Sequence, residues 1–177
     1  MSQLQIGIIG SAGSEEYPKT KPNQHMFVAA QTVASALAKK GCVIITGGKG
    51  GVMEAAAKGA KLSGGTTVAE IAGNARGTAN EYIDIEIVTC DVGFRGPSQL
   101  IGMCDGIISL GGGAGTLQEL CVAYRMQKPV VLLYGFGGWT DRLSSIEWLD
   151  ERHLVRFTKT TNPEQAVKKL LNLLKYM

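Results

Sequence analysis

The chain has 177 residues, enough for one domain whose core buries roughly 70% of the surface of the unfolded chain. Apolar residues make up 45% and charged residues 19%, against ~25% charged in ordinary globular chains, which excludes intrinsic disorder and coiled coil. The 18 Lys+Arg against 15 Asp+Glu give a net charge of +3 without a basic block, so no nucleic-acid partner is expected.

In chain order, short β-rich runs alternate with helical patterns. Residues 4–10 read as a buried strand on Ile6, Ile8 and Ile9. A helix is predicted over about 24–40, with Phe27, Ala30, Ala34 and Leu37 on one face. Lys39, Lys40 and Gly41 close it as last-turn cations and a terminal glycine. Residues 42–46 (CVIIT) form the second strand, followed by GGKGG and an Ala-rich helix over about 51–62.

Strands three and four are predicted at 66–71 and 83–88, and a short helix near 97–104 leads to the fifth at 106–110. A glycine-led helix to about residue 127, a sixth strand at 129–134 and a seventh at 154–157 follow. Asn162-Pro163-Glu164-Gln165 starts the last helix, with an Asn cap, Pro in the first position and Gln in the third. Continuous Val/Ile/Leu strands alternating with helices predict a mainly parallel sheet of six or seven strands, covered on both faces. The fold class is therefore a doubly wound, Rossmann-like α/β domain spanning 1–177.

Glycine is the outlier, at 24 of 177 residues, about 14% against a typical ~7%. Most of the surplus falls in the loops 11–13, 47–51, 72–77, 90–95, 111–116 and 135–139, all leaving the carboxyl ends of strands. In open α/β sheets that edge holds the ligand.

Gly111-Gly112-Gly113-Ala114-Gly115-Thr116 opens a helix, where glycines expose backbone N–H groups at the positive helix end, a seat for phosphate. Plain capping is the alternative, because Thr116-x-x-Glu119 also spells a capping box. Gly47, Gly48, Lys49 and Gly50 have the same strand-to-helix placement, and Gly10-Ser11 ends the first strand at the same edge. Neither loop has the Gly-Lys-Ser/Thr ending of an ATP-hydrolysing P-loop. A nicotinamide reading rests on Gly48-x-Gly50 with Glu70 downstream, but Met53 stands where the third glycine belongs.

Cys42, Cys90, Cys104 and Cys121 form no Cys-x-x-Cys pair, and with two histidines a structural metal is not expected. No basic leader and no apolar run of ~20 residues is present, so the expectation is a soluble, reduced, cytoplasmic protein without a membrane partner. Phe136 and Trp139 flank Gly137-Gly138, either as a packed loop or as rings for stacking on a planar group. Arg95 is either a phosphate partner or a surface cation.

Taken together, IITGGKGGVMEAAAKGA and GGGAGTLQE resemble the lysine-decarboxylase-like, or Lonely Guy, superfamily, over roughly residues 4–135. The GGG run and short length are similar to the branch containing molybdenum cofactor carrier proteins. The resemblance implies a nucleoside 5′-monophosphate phosphoribohydrolase, or a non-catalytic carrier or sensor of molybdopterin or a nucleotide. It implies no required cofactor, a nucleoside monophosphate or molybdopterin as ligand, and no pyridoxal-phosphate chemistry.

Carried over residue by residue, Gly112, Gly113, Gly115 and Thr116 hold the 5′-phosphate. Glu119 is the acid at the ribose, and Arg95 its catalytic partner. Gly96-Pro97-Ser98-Gln99 after Arg95 departs from the hydrolase pattern, which leaves the carrier reading nearly equal. The resemblance also implies a homo-oligomer, a dimer or larger, with the helix carrying Leu117, Leu120 and Tyr124 as the contact.

Overall fold

The Ile/Val-rich runs pair side by side into a sheet. In a computed structural model, which describes residues 3–13, 23–90 and 96–175, seven strands run parallel in the order β4-β3-β2-β1-β5-β6-β7. They are β1 (Gln5–Gly10), β2 (Val43–Thr46), β3 (Thr67–Ile71), β4 (Ile85–Val88), β5 (Gly106–Leu110), β6 (Val130–Leu133) and β7 (Thr158–Thr160). β3, β5 and β6 are buried along their whole length, as strands covered on both faces must be. β4 at the edge exposes Ile85 and Ile87.

One face is covered by α1 (Gln24–Ala38), α2 (Val52–Lys61) and α6 (Pro163–Leu174), and the other by α3 (Gly96–Gly102), α4 (Ala114–Arg125) and α5 (Gly138–Ser144). Alternation along β1 feeds both cores. Ile6 and Ile8 pack with α1 residues Ala30, Val33 and Leu37, while Ile9 packs with Leu100, Ile101 and Leu120. This is the doubly wound Rossmann-like class the sequence predicts. No described helix is long and apolar enough to cross a membrane.

The predicted cap of α6 is in place, whereas α1 ends at Ala38, so Lys39 and Lys40 follow its last turn rather than lie in it. Asn162 Oδ1 accepts from Gln165 N at 2.8 Å, and Gly41 takes the left-handed conformation with φ 79° after α1. Three further predictions need correction. The seventh strand lies at Thr158–Thr160, because residues 154–157 are drawn into side-chain packing. Leu154 N donates to the Tyr124 hydroxyl at 3.2 Å, and Phe157 meets the Tyr124 ring edge-on at 6.3 Å. The segment predicted as a Gly-rich loop through Trp139 already begins α5 at Gly138. Of the three α4 residues expected at an oligomer contact, Leu120 (0% exposed) and Tyr124 (1%) are buried within the chain itself, which leaves the partly buried Leu117.

Candidate functional site

The strand order reverses at β1. β2 to β4 run away on one side and β5 to β7 on the other, so the loops at the carboxyl ends of β1 and β5 diverge and leave a crevice. A cavity of about 630 Å³ sits there. Its floor is Ile8, Ile9 and Gly10 of β1 with Ser11 and Ala12 beyond. One wall is the start of α1, with Asn23, Met26 and Phe27, joined by Phe136 and Gly138. The other is Gly47, Met53 and Glu119, with Gly112 to Thr116 between the two walls.

Close backbone approach explains the glycines around this crevice. A Cβ on Gly10 would lie 2.1 Å from Leu110 O, where β1 and β5 pair. Gly51, at φ 69°, rests on the loop after β1, and a Cβ there would lie 2.4 Å from Ser11 O. Ser11 ties three segments together. Its carbonyl accepts from Val52 N at 2.9 Å, its N–H donates to Leu110 O at 3.3 Å, and its hydroxyl accepts from Gly112 N at 2.8 Å. Trp139 N and Thr140 N donate to Gly112 O and Gly111 O at 2.9 and 3.0 Å, which fixes the glycine loop from the far side.

The first turn of α4 faces the cavity. Gly113 is the N-cap and makes no side-chain capping bond. Gly113, Ala114 and Gly115 are exposed, and a Cβ at Gly113 or Gly115 would meet nothing within 4 Å. The capping box predicted from Thr116 and Glu119 is therefore corrected. The helix starts two residues before Thr116, whose hydroxyl instead donates to Gly10 O at 3.3 Å. First-turn N–H groups without such a cap present positive partial charge to the crevice.

Glu119 stands one turn further along α4, half-buried in the cavity wall. Burial raises its carboxyl to about 8, and the charge of Glu70 adds to the push. Glu70 is buried at the end of β3, where the Thr89 hydroxyl donates to its Oε1. At neutral pH Glu119 is thus mainly a neutral carboxylic acid.

The structure gathers Gly10, Ser11, Gly47, Gly112, Gly113, Gly115, Thr116 and Glu119 around one cavity. Gly111 stands just outside its lining, holding Thr140. Gly48, Lys49 and Gly50 do not reach it. Gly48 N donates to Thr46 Oγ1 at 3.0 Å, Asn80 Nδ2 donates to Gly48 O and Lys49 O at 3.0 and 2.9 Å, and Lys49 Nζ turns outward to Thr78 O at 3.4 Å. Gly50 faces Gly13 instead. The glycines of the nicotinamide reading thus serve packing, and Met53 places its sulfur over Gly47. Arg95 lies outside the described residues.

Sequence reasoning did not assign Asn23, Met26, Phe27 or Met53 to the site. One signal was present: Asn23 Oδ1 caps α1 by accepting from Met26 N at 3.1 Å, which places the start of that helix at the same sheet edge. Among the described residues, no group of three or more His, Cys, Asp or Glu forms a metal-binding cluster.

Comparison with known proteins places this geometry. An uncharacterized protein of Archaeoglobus fulgidus is 39% identical over 133 residues, covering 75% of this chain and 82% of that protein. The solved structure of TM1055 superimposes with a TM-score of 0.87 at 30% identity, over 96% of this chain and 99% of that one. The Moco carrier protein from Chlamydomonas reinhardtii gives 0.76 at 27% identity, over 99% of this chain and 100% of that one. With a family model matching residues 3–167, the chain belongs to the SLOG cluster4 family.

Proposed function

We propose that this chain binds a phosphorylated, nucleotide- or pterin-like ligand in the crevice over β1 and β5, and that it acts as a carrier or sensor. The observation carrying this reading is the uncapped first turn of α4, with Gly113 and Gly115 exposed at the cavity. Backbone N–H groups in that position receive a phosphate at the positive end of the helix. The 27% identity to the Chlamydomonas reinhardtii Moco carrier protein supports a cargo of that kind. A molybdopterin cargo fits the residues present: Met26 and Met53 offer apolar surface to its ring system, and the α4 turn offers amides to its phosphate.

A second reading, phosphoribohydrolase, rests on Glu119 in the same cavity. A carboxylate there can stabilise the positive charge that develops at a ribose C1′, and a protonated one can act as general acid to the leaving base. Glu119 holds its proton to about pH 8, a state that serves a general acid and a hydrogen-bond donor to a carried ligand alike. The reading also counts Arg95 as the partner cation.

The test is chromatography of nucleoside 5′-monophosphates incubated with the protein at pH 7, beside melting curves of the same mixtures. The carrier or sensor reading expects a higher melting temperature and no free base. Free-base release that disappears in Glu119→Gln would establish the hydrolase instead.

A further inference from the structure

Resting on that reading of the crevice as a phosphate seat, we propose that Phe27 and Phe136 form a ring clamp that selects ligands carrying a planar heterocycle beside the phosphate. The chain holds only four phenylalanines, and two of them, from elements more than 100 positions apart, line this one cavity. Phe157 is spent on Tyr124, and Phe94 lies outside the described residues.

Both cavity rings are half-buried, with one side in the core formed by α1 and the sheet. Neither belongs to a ring pair, the pairs among the described residues being Tyr124 with Phe157 and Trp148 with His153. A half-exposed aromatic side chain without a ring neighbour is a surface on which any base can stack, whatever its hydrogen-bonding edge.

The backbones that carry the rings are already fixed. Asp141 accepts from Gly135 N at 2.9 Å and from Phe136 N at 3.3 Å, one carboxylate oxygen to each. On the other side, Phe27 N donates to Asn23 O at 3.2 Å in the capped first turn of α1. Backbones held this way need no ordering on binding, so stacking contributes to affinity rather than to fixing the loop.

The clamp and the phosphate seat face one cavity, with Gly138 joining them: its neighbours Trp139 and Thr140 bond the glycine loop, and Phe136 lies two residues before it. The class of ligand this chemistry recognises is a heterocycle bearing a phosphate on a short linker. A sugar phosphate lacks the ring, and a free base lacks the anion.

Isothermal titration with guanosine 5′-monophosphate and with ribose 5-phosphate tests this on the full chain, on Phe27→Leu, on Phe136→Leu and on Phe136→Tyr. Guanosine 5′-monophosphate is expected to bind the native chain at least ~10-fold tighter than ribose 5-phosphate, the size of one base-stacking contact. Each Leu variant is expected to lose most of that ratio while ribose 5-phosphate binding stays unchanged, and Phe136→Tyr to keep it. Leu retains the apolar contact with the core, and circular dichroism verifies the fold of each variant. A ratio near one in the native chain, or a ratio untouched by both Leu substitutions, would overturn the clamp while leaving the phosphate seat standing. Absence of binding by both probes would overturn the clamp together with the reading beneath it.

Discussion

Replacing Glu119 by Gln should flatten the dependence of stability on pH. The folded carboxyl keeps its proton to about 8, against an ordinary value of 4.5. Between those values the folded state binds more protons than the unfolded one, so stability falls as the pH rises. The contribution is fully present below about pH 4.5 and is lost as the pH climbs through 8. At ~1.4 kcal/mol per pH unit, the native chain should lose roughly 2 to 3 kcal/mol between pH 5 and pH 7.

Gln has the same shape and no charge to desolvate, so the variant should be the more stable protein at pH 7. For a chain of this size its melting temperature should then stand roughly 5–10 °C higher relative to native than it does at pH 5. Asp84 and Asp150 act outside this window. At Asp84 desolvation is outweighed by bonds from Lys61 and Thr67, and Asp150 is held down to about 2 by Arg152 and Tyr124. Both lose their effect as the pH falls, at the acid end. Urea titrations of both proteins at pH 5, 6 and 7 provide the measurement, and parallel stability curves would refute the argument that Glu119 is neutral in the fold.

Gly115→Asp should separate stability from binding: the side chain enters open space, and a carboxylate in the first turn of α4 favours the helix by up to ~1 kcal/mol. The same charge repels a phosphate, so calorimetry should show affinity for nucleoside monophosphates falling by roughly 10-fold or more. Gly51→Ala should cost about 2–4 kcal/mol in urea unfolding, since its φ of 69° and the 2.4 Å approach to Ser11 O both oppose a Cβ. Asn162→Ala removes the bond to Gln165 N and should lower stability by ~1 kcal/mol, with ligand affinity unchanged.

Apolar runs announced β1, β2, β5 and β6, because strands covered on both faces are rich in Val, Ile and Leu, while β3 and the edge strand β4 stood out by their β-branched residues despite Glu70 and Glu86. β7 was hidden because Thr158, Lys159 and Thr160 carry no apolar run, while just before it the Leu154 backbone and the Phe157 ring engage Tyr124. α5 was hidden because glycine, poor in a helix, opens it at a backbone crossing where nothing larger fits: a Cβ on Gly138 would lie 2.5 Å from Gly112 O.

The glycine loop after β5 was legible as a cavity-facing turn, since its spacing requires only local geometry. The loop after β2 reads almost the same in sequence and is used differently. Whether a glycine faces a ligand or another backbone depends on long-range neighbours, here Asn80 and Gly13. Local spacing equally misassigned Thr116 as a cap, because its true acceptor, Gly10 O, lies on β1. The environment of Glu119 was beyond reach for the same reason, as Glu70 approaches it from β3.

The bonds that join Gly111 and Gly112 to Trp139 and Thr140, with the buried Ser109 and Thr140 hydroxyls 2.6 Å apart beneath them, make the glycine loop continuous with the centre of the sheet. The loop's carbonyls are therefore fixed, whereas the first-turn amides of α4, open to the crevice, should exchange quickly with solvent until a bound anion covers them.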